Sequence, residues 1–197
     1  MSIKRNGMLS MALILPVVLL MGCQFGKVDQ GRVIKYDKDK KVVTMIRDGK
    51  GDTQNPDYNY LPPIVYETPA DPHEMGPEPK AGQRMKLDTK NNQIVIFDAA
   101  AQQFKTIPYT LIEQKEGVGK DDPAVAGRKF PEVDKAKKTI AVYSSRQKIL
   151  TTFSLPEEYF ALPDSTWDAG DEIRVYYKQD GKALRMMNIS KTDIYKK

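Results

Sequence analysis

Arg32-Val33-Ile34-Lys35-Tyr36-Asp37-Lys38-Asp39-Lys40-Lys41-Val42-Val43-Thr44-Met45 reads as a strand, a charged turn and a second strand. A period of two puts alternate side chains on opposite faces of an extended chain, so one face of each segment is apolar. Ile94-Val95-Ile96-Phe97 reads the same way. No stretch of the body sustains a helical period; the best helical candidate, Asp98 to Phe104, would make only about two turns. With 13 Gly and 13 Pro as punctuation, short strands of this kind predict an all-β protein of small barrels or sandwiches.

Working outward, the turn and strand at Asp37 to Met45 has a counterpart in Asp134-Lys135-Ala136-Lys137-Lys138-Thr139-Ile140-Ala141-Val142. Ala81-Gly82-Gln83-Arg84-Met85-Lys86-Leu87 likewise matches Ala169-Gly170-Asp171-Glu172-Ile173-Arg174-Val175, and a polar tip and a further strand follow each. Matched blocks in the same order predict two tandem five-stranded, OB-like units. The first would span residues 23–116, the second 130–197. The Gly-, Pro- and charge-rich segment 117–129 would link them. Two further insertions, Gly49 to Tyr60 and Thr68 to Gly82, are long enough to suggest functional loops.

Ahead of the body stands a three-part segment: Lys4 and Arg5, an apolar run from Met8 to Leu20 with Pro16 inside it, then Gly22 and Cys23. The run is shorter than the roughly 20 residues that cross a bilayer core, which favours an export signal over a membrane-spanning helix. Leu20-Met21-Gly22-Cys23 resembles the lipobox of bacterial lipoproteins. The resemblance implies a signal peptide over residues 1–22, cleavage before Cys23, and covalent lipid on that cysteine with no other cofactor. Cys23 is the only cysteine, so no disulfide forms within the chain. Gln24 is not the aspartate that usually retains such proteins in the inner membrane, so the resemblance favours an outer-membrane anchor with the body facing the periplasm. The body resembles an uncharacterised family of Gram-negative lipoproteins with small periplasmic β-barrel repeats, which supplies no activity to carry over.

The formal charge is +5, and Lys4 and Arg5 leave with the signal. That excess is too small to argue for nucleic acid. Lysines gather at 38, 40 and 41, at 135, 137 and 138, and at 196 and 197. They read either as a basic surface for anionic lipid or as the polar tips of hairpins.

The densest set of donor atoms is Asp71-Pro72-His73-Glu74-Met75, with the chain's only histidine. Imidazole with carboxylates suits zinc, and imidazole with thioether suits copper. His73, Asp71 and Glu74 are therefore the metal-ligand candidates, although Pro72, Pro77 and Pro79 would stiffen the loop and splay its side chains. Tyr58, Tyr60 and Tyr66 stand among prolines, and Trp167 occupies the corresponding place in the second half. Such aromatics suit a partner or ligand surface as well as they suit a core. A nucleophilic triad would have to rely on His73 alone, and no phosphate-cradling glycine pattern occurs. These features predict a non-catalytic module that binds an envelope protein or the cell wall; the alternative is a metal or small-ligand carrier built on the His73 loop.

Overall fold

The computed structural model describes residues 25–52 and 55–192; the segment 1–22, expected to be a signal peptide, and Cys23 lie outside them. Among the described residues all regular structure is extended, apart from short 3-10 turns. Strands β1 (Lys27–Asp37), β2 (Val42–Arg47) and β3 (Ile64–Glu67) come first. β4 (Arg84–Asp88), β5 (Gln93–Asp98), β6 (Gln103–Pro108), β7 (Thr110–Glu116), β8 (Glu132–Asp134), β9 (Thr139–Ser144) and β10 (Ile149–Ser154) follow. β11 (Glu172–Gln179) and β12 (Lys182–Asn188) come last among the described residues.

A closed five-stranded barrel is present, in the order β1-β11-β12-β3-β2. Alternation fills it: Val33, Val43, Met45, Tyr66, Ile173, Val175, Tyr177 and Met186 form one buried cluster. A register shift between Val33 and Lys35 in the β1–β2 pairing bends β1. Ile34 then packs not inside the barrel but with Ile46, Tyr58, Met85 and Phe97 on its outer side.

The expected tandem order is replaced by a nested one. β11 and β12, read as the end of a second unit, pair with β1 and β3 and close the first. Alternation shows that a hairpin has one buried face; it does not say which strands complete that face. The segment between β3 and β11 carries a second unit of two sheets, β4-β5-β6 and β7-β10-β9-β8. Leu87, Ile94, Ile96 and Ile107 from one sheet meet Ile140, Val142 and Phe153 from the other, and Trp167 and Phe160 cover the end. Segment 117–129 is not a linker between domains: it lies between β7 and β8, where Val118 and Val125 are buried against Leu150. Its Gly and Pro mark turns within a packed loop.

The matched sequence blocks have two separate structural causes. The first is a recurring hairpin turn. Asp37 and Asp134 each accept the backbone N–H three residues on, from Lys40 at 3.0 Å and Lys137 at 2.9 Å. The next residues, Lys41 and Lys138, are left-handed with φ of 54°. The stretch expected as a two-turn helix is a turn of the same kind, in which Asp98 accepts from Ala100 and Ala101 and Gln102 has φ 53°. The second cause is a double crossing. Gly82, where the chain leaves the barrel, lies against Gly170, where it returns. Arg84 N–H donates to Asp168 O at 2.9 Å, and Asp171 N–H to Lys80 O at 2.8 Å. A Cβ on Gly170 would collide with the Val33 carbonyl, so this close passage requires glycine.

Candidate functional site

Between the outer side of the barrel and the inserted unit lies a cleft of about 700 Å3. β1 contributes Arg32, the loop after β2 contributes Tyr58, and β4 contributes Arg84. The β9–β10 hairpin tip adds Arg146, and Phe104 and Phe130 form apolar walls. The barrel, the inserted unit and the double crossing each supply part of the lining, so the nested topology makes this cleft.

Arg32 and Arg84 are each only 8% exposed. Arg32 Nη1 donates to the carbonyls of Arg84 and Met85, at 3.1 and 2.7 Å, and its guanidinium lies 4.4 Å from the centroid of the Tyr58 ring. Arg84 Nε donates to Trp167 O at 3.0 Å. Neither guanidinium has a carboxylate within 4 Å among the described residues. Arg146 does: its Nη2 donates to Glu172 Oε2 at 3.0 Å. The other oxygen of Glu172 accepts from Gln30 Nε2 at 2.6 Å, and Gln30 Oε1 accepts from Arg174. Glu172 stands directly across from Arg32 in the β1–β11 ladder, yet its oxygens are engaged by Gln30 and Arg146.

Removing a guanidinium from water disfavours its charged form. Burial pushes Arg84 down to about 10, with Arg32 nearby adding to the effect. Burial likewise lowers Arg32, and Tyr58 and Glu172 partly offset this while Arg146 reinforces it. Arg84 stays protonated near neutral pH. Burial raises the Tyr58 phenol, whose hydroxyl lies beside Arg32 and Arg146 without hydrogen-bond geometry to either. Arg32 Nε is also buried without a partner among the described residues.

The aspartates of the lining are paired with other groups, and the charge of Asp168 partly offsets the lowering of Arg84. Asp168 pairs with Lys80, Asp171 pairs with Lys191 at 3.2 Å, and Asp57 accepts from Asn59. The more deeply buried Asp48 holds the Tyr58 loop by accepting from the N–H groups of Lys50 and Asp57, at 3.0 and 2.8 Å. The cleft therefore keeps an excess of buried positive charge. A guanidinium donates hydrogen bonds and does not exchange protons in this pH range, and the lining contains neither histidine nor cysteine. Such an arrangement is suited to holding and orienting negative charge.

The model of a family described as a domain of unknown function, DUF4881, matches residues 24–197. The chain belongs to this family. The match takes in the barrel, the inserted unit and every residue of the cleft. Comparison with curated proteins and with solved structures finds no significant match.

Within this DUF4881 chain the residues singled out from sequence are scattered. Tyr58 lines the cleft, and Tyr60 is 47% exposed on the surface. Tyr66 belongs to the barrel core, where its hydroxyl donates to Asp29 Oδ2 at 2.6 Å, and Trp167 belongs to the core of the inserted unit. The His73 loop forms a 3-10 turn over Pro72–Glu74. Asp71 caps that turn through His73 N–H, Glu74 grips Arg185 with both oxygens, Met75 packs on the barrel core, and His73 is exposed. No group of three or more His, Cys, Asp or Glu side chains placed to hold a metal is found among the described residues.

Sequence reasoning missed Arg32, Arg84 and Arg146. The available signal was an arginine set inside an apolar alternating segment, as in Arg32-Val33-Ile34 and Arg84-Met85. Lys38, Lys40, Lys135 and Lys137 occupy hairpin turns and pair with Glu78, Asp37, Asp164 and Asp134 respectively. Lys196 and Lys197 lie outside the described residues.

Proposed function

We propose that this protein is a lipid-anchored module of the cell envelope that binds rather than catalyses, and that the cleft between barrel and insert is where it engages an envelope protein or cell-wall component. The observation that carries the reading is the pair of buried guanidiniums with no carboxylate in ion-pair range among the described residues. An uncompensated buried charge costs several kcal/mol, and a fold retains such a cost most readily where a ligand offsets it. The absence of histidine and cysteine from the lining supports binding over proton transfer or nucleophilic attack. The anchor rests on the lipobox ending at Cys23, directly ahead of the residues matched by the family. An outer-membrane location facing the periplasm rests on Gln24.

The test is photo-crosslinking in cells, with the reactive group at Asn59 on the cleft or at Lys90 on the β4–β5 hairpin tip, outside the lining. Adducts at Asn59 that are missing at Lys90 are expected. Equal labelling of the two positions, or none at either, removes the cleft from the proposal. For the anchor, Cys23→Ala should move the protein from the membrane fraction to the soluble fraction; continued membrane association would overturn lipid attachment.

A further inference from the structure

We propose that the cleft recognises a phosphate monoester group, held by Arg32, Arg84 and Arg146 with Tyr58 beside them. The inference rests on the reading of the cleft as the binding site and adds the chemistry of what enters it.

Charge comes first. Glu172 is committed to Arg146 and Gln30, which leaves Arg32 and Arg84 as two buried positive charges with no carboxylate in ion-pair range among the described residues. A phosphate monoester carries close to two negative charges at neutral pH and so balances both. Hydrogen bonding comes second. Arg84 spends its Nε on Trp167 O, and Arg32 Nε and Tyr58 Oη are buried without a hydrogen-bond partner among the described residues. Guanidinium forks match the oxygens of a phosphate in a two-pronged way that a lysine cannot reproduce.

The third point is space. A cleft of about 700 Å3 is far larger than a phosphate group, so the ligand has a body beyond its charged head. Phe104 and Phe130 offer apolar surface to that body, while Asn59 and Ser144 offer hydrogen bonds. The same head chemistry occurs in soluble phosphorylated sugars and in membrane lipids ending in phosphate.

The experiment uses the lipidated protein in discs of neutral phosphatidylcholine, titrated calorimetrically at low salt with inorganic phosphate and with glucose 6-phosphate. A parallel preparation contains phosphatidic acid. Single-site binding is expected, weakened about 10- to 100-fold in Arg84→Gln by loss of a charged donor. Arg146→Gln, whose side chain is 30% exposed, should weaken it too, and Lys90→Gln should leave it unchanged. Glucose 6-phosphate binding that survives phosphatidic acid identifies a soluble source; binding abolished by it identifies a lipid. Saturation by no phosphate form below about 10 mM, or equal binding by the arginine variants, overturns the proposal. If phosphate fails while Asn59 still crosslinks in cells, the binding-module reading stands and only the ligand class falls.

Discussion

Two buried polar clusters flank β1, one on each face, and they are balanced differently. On the face of Gly31 and Val33, Asp29 accepts from the Tyr66 hydroxyl at 2.6 Å and pairs with Arg47 at 3.3 Å. One carboxylate meets one guanidinium and one hydroxyl, and the cluster is complete. On the opposite face, Arg32 lies across the ladder from Glu172, whose carboxylate is taken by Arg146 and Gln30, and Arg84 lies beside Arg32. Depth of burial is similar, with Asp29 6% and Arg32 8% exposed. The difference lies in the count of charges, and it separates a polar group that supports the fold from one available to a ligand.

The sharpest way to break the comparison is to remove the one carboxylate of the outer cluster. Glu172→Gln should cost about 3–5 kcal/mol, because it breaks a buried pair and leaves Arg146 and the facing Arg32 without their carboxylate; chemical denaturation measures it. In the inner cluster, Tyr66→Phe should cost about 1–3 kcal/mol by leaving Asp29 short of a donor in a buried place. Arg84→Met should behave in the opposite sense to Glu172→Gln. Replacing an uncompensated buried charge by an apolar chain of similar length should change ligand-free stability by no more than about 1 kcal/mol, or raise it. A large loss there would show that the outer cluster is as structural as the inner one.

Two smaller effects set a scale outside both clusters. Asp88, held by Lys86 and by Asn91, has its carboxyl lowered to about 2 from the ordinary 3.8. A depressed carboxyl stabilises the fold above its unfolded value, and that contribution is lost as the pH falls from near 4 through about 2. Carboxyl chemical shifts followed through that window should show it, and Lys86→Ala should move the midpoint upward. Lys138→Gly relieves a left-handed residue and should stabilise by about 0.5 kcal/mol, the net of that relief and the entropy of glycine.

The all-β class was legible because each strand carries its alternation locally. Its nesting was not, since Glu172–Gln179 and Lys182–Asn188 form a hairpin whose pattern would serve either unit equally well. The matched blocks were real similarities, but they record a shared turn and a shared crossing. Much the same limit applies to the site. Donors concentrated along the chain at Asp71 to Met75 end on separate partners, because the prolines and the cap spread them apart. Arg32, Arg84 and Arg146 are far apart in sequence and meet only through the fold. Tyr58 marked the right loop, yet its neighbours Tyr60 and Tyr66 point to solvent and to the barrel core.

The β1–β11 ladder places Lys27 opposite Tyr177 and Arg32 opposite Glu172, so the first strand must wait for nearly the last one. A chain made from its N-terminus exposes β1 to β3 as an open ribbon with unpaired edges while residues 82–170 are added. The insert's neighbouring hairpins, β4–β5–β6 and β9–β10, can pair as soon as they exist. The barrel closes only once the crossing has delivered the β11–β12 hairpin to β1 and β3.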